Sequence, residues 1–145
     1  MPAPHSITIW DPFLRIFHWS IATLFLLNYW VLEAGEDAHE WVGYAIALLL
    51  ATRLIWGFIG PRNARFASFW PTIPRLRTHW RQLREHRIDP AEGHNPAGAL
   101  MILLLLVLLA TTPVSGWMQG LDAFWGEDWV ETLHEYSANA LMAAV

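Results

Sequence analysis

The chain of 145 residues lacks cysteine altogether, and it has few charged residues of either sign. Without cysteine there are no disulfide bonds, no thiolate metal sites and no thioether-linked cofactors. Only 15% of the residues are charged and 54% are hydrophobic, whereas a soluble domain carries roughly a quarter charged residues. The formal net charge of −4 argues against a nucleic-acid partner. The composition therefore predicts a membrane protein.

Long apolar segments define the predicted fold. A helix needs about 20 apolar residues to cross a bilayer. Three segments reach this length, roughly 13–32, 39–60 and 97–118, while a fourth, 129–145, is too short. We therefore predict one all-α domain, a transmembrane four-helix bundle whose fourth helix is truncated in this chain. The first span lacks a signal-peptide pattern and is expected to stay uncleaved.

The basic residues predict the orientation. All nine are arginines, since lysine is absent, and they avoid two of the three connections between spans. Arg15 begins the first span, and the others lie from Arg53 to Arg87, around the 62–92 loop. The other connections are acidic, with Glu33, Glu36, Asp37 and Glu40 in the first and Asp122, Glu127, Asp128 and Glu131 in the second. The positive-inside rule places the N-terminus and the 62–92 loop in the cytoplasm.

Short local patterns predict how the helices begin. Asp11 and Asn95 each precede a proline, which favours a capped helix start. Residues 37–40 and 128–131 resemble capping boxes. Within the loop, Leu76, Trp80 and Leu83 recur at helical spacing among arginines. This spacing predicts a short amphipathic helix on the inner membrane surface, with an ordinary solvated loop as the alternative.

Histidines at helix ends are the candidate functional residues. An ionisable side chain at membrane depth is costly and is usually retained for a partner or a function, and neutral imidazole is a standard haem ligand. His39 and His134 each fall in the first turn of a predicted helix on the outer side. Two helices that start at one depth can place two imidazoles across one haem. Taken singly, each histidine also fits a snorkelling or capping role.

The remaining histidines divide into two groups. His18 lies about two turns into the first span among apolar neighbours, so we expect it to be buried against a partner near the inner side. It is too far from His39 along the membrane normal to share a haem. His94 lies close to the depth of His18 but precedes the third helix. The others, His5, His79 and His86, are expected to be solvated surface residues.

The second span carries further candidates on one helical stripe. Gly43 and Ala47 are small enough to let a flat macrocycle approach the helix. Arg53 follows His39 by about four turns and faces the same way. A guanidinium there suits haem propionates, although an arginine that snorkels to lipid phosphates is the alternative.

Five motifs occur in the order of a known family. They are WDPFLRIFHW at 10–19, HEWVGY at 39–44, RLIWGFIGPR at 53–62, GHNP at 93–96 and LHE at 133–135. Together they resemble the bacterial cytochrome b561 family, and in particular the cytochrome b subunits of nickel-iron hydrogenases. The resemblance covers essentially the whole chain.

The resemblance implies a four-helix bundle with two b-type haems in the bacterial inner membrane. His18, His39 and His134 would be axial ligands, and the last ligand would lie about four turns after His134, beyond residue 145. We therefore expect the natural chain to continue. His94 is not the usual ligand and would contact a propionate or quinone, while Gly43 and Arg53 would complete the cofactor site.

The expected function is transmembrane electron transfer between the quinone pool and a redox partner. The partner would be a dehydrogenase, a hydrogenase or a cytochrome c, and membrane lipid would surround the bundle. We expect an electron-transfer subunit rather than a stand-alone enzyme. One alternative is a self-contained quinol-dependent oxidoreductase resembling a superoxide oxidase, and another is a non-redox membrane anchor with structural histidines.

Overall fold

The computed structural model describes residues 11–85 and 95–145, and every regular element in these ranges is a helix. His94, predicted as a propionate or quinone contact, lies outside the described residues. Four helices are long, and two short helices follow a 3-10 turn at Arg62–Ala64. The helices are α1 (Pro12–Trp30), α2 (Asp37–Ile59), α3 (Phe66–Phe69), α4 (Ile73–Arg84), α5 (Pro96–Gln119) and α6 (Asp128–Ala144).

Two helix starts form as their sequences predict. The backbone N–H of Phe13 donates to Oδ1 of Asp11 at 2.9 Å, which caps α1. The N–H of Gly98 donates to Oδ1 of Asn95 at 2.7 Å, which caps α5. Each helix begins with proline, whose fixed φ suits the first helical position and whose missing N–H needs no partner there.

The capping-box prediction for α2 and α6 was wrong. The N-cap residues are Glu36 and Glu127, and neither makes a side-chain cap hydrogen bond. Each follows a glycine in the left-handed region, Gly35 at φ 86° and Gly126 at φ 78°. Both helices thus start from the same Gly-Glu-Asp sequence, in which glycine makes a turn that other residues adopt only with strain.

All four long helices contribute to one apolar core. Its buried members are Phe25 of α1, Ile46 and Leu50 of α2, Leu109 of α5 and Leu141 of α6. The hydroxyl of Tyr29 also donates to Oδ1 of Asn139 at 2.6 Å, which ties α1 to α6. Among the described helices, α2 and α5 are long and apolar enough to cross a membrane by length and composition.

The start of α1 and the end of α2 lie together at what we call the arginine-rich end, the end formed by Arg15, Arg53 and segment 62–85. There, Nε1 of Trp56 donates to Oδ2 of Asp11 at 2.6 Å. The opposite end, with the two acidic connections, is the acidic end. Each connection reverses the direction of the chain. The arginine-rich and acidic connections of the sequence therefore lie at opposite ends of the bundle.

Segment 62–85 closes the arginine-rich end. Phe66 and Phe69 of α3 are buried and pack with Ala99 of α5. The predicted amphipathic helix is present as α4. His79 was expected on the surface, but this prediction was wrong, because its side chain is only 6% exposed. It lies on the side of α4 opposite Arg81 and faces the body of the protein rather than solvent.

Candidate functional site

The imidazoles of His39 and His134 face each other between α2 and α6. Their ring centroids are 6.2 Å apart and the ring planes are inclined by 64°. Two imidazoles that bind one metal ion from opposite sides, each through a bond of about 2 Å, have ring centres roughly 6 Å apart. The pair therefore has the separation that two axial ligands of one iron require. Because α6 begins at Asp128, His134 lies in its second turn rather than the first.

The two histidines line a cavity of about 440 Å³, and residues of both acidic connections, Gly35, Glu36 and Trp125, line it as well. This volume falls within the range of roughly 300–1,000 Å³ of cofactor sites. Gly43 also lines the cavity, and a Cβ atom at this position would meet nothing within 4 Å. The sequence predicts that a flat macrocycle approaches α2 at Gly43, and the cavity leaves open space at that position. The wall is mostly apolar and aromatic, with Phe25, Leu109, Trp117 and Leu141 among its residues.

His134 is fixed by groups on α5. Its Nδ1 lies 2.8 Å from the backbone carbonyl oxygen of Thr112, so Nδ1 carries the proton and donates it. Oγ of Ser115 is 3.3 Å from the same nitrogen. This arrangement leaves Nε2 unprotonated, which is the form in which histidine binds a metal while its other nitrogen is held by a carbonyl.

A glycine packs against the same imidazole. A Cβ atom on Gly116 would lie 3.0 Å from Cε1 and 3.2 Å from Nδ1 of His134. Only a residue without a side chain lets α5 approach the ring this closely. Gly116 and the Thr112 carbonyl thus position His134 from two directions.

His39 lies in a different environment. Its Nδ1 is buried and makes no hydrogen bond of normal geometry within the described chain, although the backbone of Asn28 lies beside the ring. Next to it, the hydroxyl of Tyr44 donates to Glu40, and both residues line the cavity. A buried polar atom without a partner is unusual in a folded protein, so His39 retains hydrogen-bonding capacity that the described residues do not use.

Arg53 lies on the same stripe of α2, near the arginine-rich end. Its side chain is 5% exposed, and one terminal nitrogen is buried without a hydrogen-bond partner among residues 11–85 and 95–145. The guanidinium carbon lies 4.8 Å from the centre of the Phe66 ring. A buried charge with an unused donor fits a bound anionic group, whereas a snorkelling arginine would extend to the surface.

The other predicted ligand is not part of this cavity. His18 is exposed on α1, with its ring 5.6 Å from that of Trp19. Our expectation that it is buried was wrong, because His18 lies on an exposed part of α1 together with Ile16 and Trp19, which are each 68% exposed. Within the described residues there is also no cluster of three or more metal-binding side chains. A haem iron needs fewer, because the macrocycle supplies four ligands and the protein supplies the axial ones.

Comparison with protein families decides the class of cofactor. The family model for prokaryotic cytochrome b561 matches residues 9–145. The chain belongs to this family. It is accordingly a membrane b-type cytochrome of electron transfer, and b-type haem is its cofactor class. No curated protein and no solved structure matches the chain.

Three residues of the site were missed by sequence reasoning: Thr112, Ser115 and Gly116. A signal was present, because the polar and small residues of 111–116 interrupt an otherwise apolar helix. Polar groups within a membrane-length helix generally face the bundle and have partners, which is what His134 provides.

Proposed function

We propose that this cytochrome carries electrons across the bacterial inner membrane, between the quinone pool and a redox partner. The observation that supports it best is that His39 and His134 face each other in one cavity. Their rings are separated by the distance that two axial ligands of one iron require. These histidines would hold one haem near the acidic end. The haem supplies one-electron redox chemistry when bound, and the protein supplies ligation and burial.

The residues around the cavity have distinct roles in this proposal. The Thr112 carbonyl keeps Nε2 of His134 directed at the iron, and Gly116 leaves room for the ring. Gly43 leaves open the space that the macrocycle occupies. The apolar wall excludes water, which favours the less charged state of the haem and limits side reactions.

A second haem at the arginine-rich end completes the proposal. His18 would be one axial ligand of this haem. Arg53 would bind the propionates, which its buried position and its unpaired nitrogen support. His94 would contact a propionate or a quinone. Two haems in series would let an electron cross the membrane in two short steps.

The orientation and the partner belong to the same proposal. The arginine-rich end would face the cytoplasm, since positive residues are retained on that side. The redox partner would be a hydrogenase, another dehydrogenase or a cytochrome c, and hydrogenase is favoured by the resemblance described above. The acidic end, whose connections contribute residues to the cavity wall, would face the other side of the membrane.

The pairing of ligands is tested by removing each histidine. We expect His39→Ala and His134→Ala each to abolish the same haem, because one axial ligand is lost in either case. Haem content and reduced visible spectra of the purified chain would be measured, since bis-histidine haem has sharp α and β bands. The control is His79→Ala, which removes a buried histidine that does not line the cavity. Wild-type haem content in either cavity variant would disprove the pairing.

A self-contained quinol-dependent oxidoreductase is the second candidate. It is favoured by Trp125, which lines the cavity and is 80% exposed, because small reactants could reach a haem edge beside it. Such an enzyme should oxidise quinol without any partner protein. An electron-transfer subunit should turn over only when the partner is added. Absence of any haem spectrum would leave a non-redox membrane anchor.

A further inference from the structure

Helix α4 has an apolar face that the described protein leaves largely uncovered, with only Leu76 of that face half-buried. Ile73, Trp80 and Leu83 are 70%, 61% and 52% exposed. At 100° per residue they fall within an arc of roughly 80° on the helix. His79 lies on an adjoining face and is buried, so α4 already contacts the protein through another side. Its exposed apolar face is therefore available to something else.

Arginines border this apolar face on one side. Arg77, Arg81 and Arg84 are all exposed and follow the apolar arc within roughly the next 80° of the helix. No acidic residue occurs between Ile73 and Arg84. The face and its border thus combine apolar side chains with a row of exposed arginines, which is the pattern of a helix that lies in a membrane interface.

The position of α4 agrees with such a location. It lies between the end of α2 and the start of α5, the two helices of membrane-spanning length. Helix α2 ends and helix α5 begins at the arginine-rich end, where a bilayer around them would have its surface. Trp70, just before α4, is 53% exposed, and tryptophan is enriched at this depth of a membrane.

We propose that α4 is an anionic-lipid binding element of this cytochrome. Its apolar face lies in the boundary between headgroups and acyl chains, while Arg77, Arg81 and Arg84 bind lipid phosphates. Arginine suits phosphate because its guanidinium donates two parallel hydrogen bonds. Three like charges on one edge also favour a negatively charged leaflet over a zwitterionic one. The proposal rests on the membrane location of the chain and requires no haem.

The depth of α4 is measured with spin labels. The chain has no cysteine, so Leu83→Cys and Thr78→Cys each give one labelling site without further changes. Thr78 is exposed on the side opposite the apolar arc and is the matched control. Whole protein would be reconstituted in vesicles of phosphatidylcholine, with or without phosphatidylglycerol. We expect the label at 83 to be shielded from a water-soluble nickel chelate and accessible to oxygen, and the label at 78 to show the reverse.

The role of charge is tested in the Leu83→Cys background. Arg77→Gln, Arg81→Gln and Arg84→Gln together should abolish any additional shielding caused by phosphatidylglycerol, whereas the three Arg→Lys changes should retain most of it. Equal chelate access at 83 and 78 would overturn the proposal. Shielding with dipolar broadening between labels would assign the face to a second copy of the chain instead. Shielding that does not respond to phosphatidylglycerol would disprove the preference for anionic lipid.

Discussion

At the scale of single residues, the two facing histidines differ in how the protein holds them. His134 donates from Nδ1 to the Thr112 carbonyl, while Nδ1 of His39 makes no such bond in the described residues. A histidine that donates to a carbonyl is a more basic metal ligand. The two sides of one haem would thus be bound with unequal strength, and the groups around His134 would set the electronic character of the site.

Ser115 is the residue through which this difference is tested. Its Oγ donates to the carbonyl of Thr111 at 2.7 Å, so its lone pairs remain for Nδ1 of His134. Loss of this second acceptor makes the imidazole a weaker electron donor. We expect Ser115→Ala to raise the midpoint potential of the haem held by His134, with a changed low-spin EPR signal. Redox titration followed at the α band measures this shift.

Ser137 provides the control for that variant. It is buried like Ser115, and its hydroxyl donates to the backbone carbonyl of His134 at 3.0 Å rather than to the ring. Each alanine variant should lose about 1 kcal/mol of unfolding free energy, the usual contribution of a hydrogen bond. Only Ser115→Ala should move the potential. Equal potentials in the two variants would leave Ser115 with a packing role alone.

At the scale of elements, α2 carries candidate residues for both haems. The predicted stripe faces inward, since Leu50, Arg53 and Gly57 are buried and Gly43 lines the cavity. The space beside Gly57 is occupied by the Phe66 ring of α3, because a Cβ atom on Gly57 would lie 2.1 Å from that ring. The two glycines therefore have different uses, one beside open space and one beneath an aromatic ring.

Gly43 is expected to control access of the macrocycle. Gly43→Ala should keep haem and raise helix stability by roughly 0.5–1 kcal/mol, the usual gain over glycine. Gly43→Leu should place a branched side chain in the cavity and exclude the haem. Haem-to-protein ratios of monodisperse protein measure the effect. If Gly43→Leu binds haem as fully as Gly43→Ala does, the macrocycle does not approach α2 at this position.

Arg53 is expected to act on the second haem through its charge. Arg53→Leu should lower the potential of that haem, because a nearby positive charge favours the reduced, more negative state. Arg53→Lys retains the charge and should have a smaller effect. The haem between His39 and His134 should be unchanged in both. A redox titration that resolves the two haems provides the measurement, and an unchanged second potential in fully loaded Arg53→Leu protein would contradict the propionate role.

At the scale of the whole molecule, the opposite charges of the two ends predict one orientation in the membrane. Arg62 is exposed at the arginine-rich end and Asp122 at the acidic end. Because the chain has no cysteine, a cysteine introduced at either position is the only labelling site. In intact cells, a membrane-impermeant maleimide should label Asp122→Cys. It should label Arg62→Cys only after the inner membrane is permeabilised. Reversed labelling would contradict the proposed orientation.

Much of this architecture follows from local sequence patterns. The apolar segments and the capping residues Asp11 and Asn95 determine where helices form, because turns and caps involve residues close together in the chain. The depth of His39 and His134 on their helices follows from the same boundaries. The sequence by itself therefore determined the helical class, the separation of charge between the ends and the placement of both histidines near the same end.

Only the tertiary structure decided what surrounds these residues. The contacts of Thr112, Ser115 and Gly116 with His134 join α5 to α6, and they depend on how far each helix is rotated about its axis. The same lateral packing buries His79 against the protein and leaves His18 exposed. Helical periodicity defines which residues share a face, but the partner of that face is chosen by packing between segments distant in sequence.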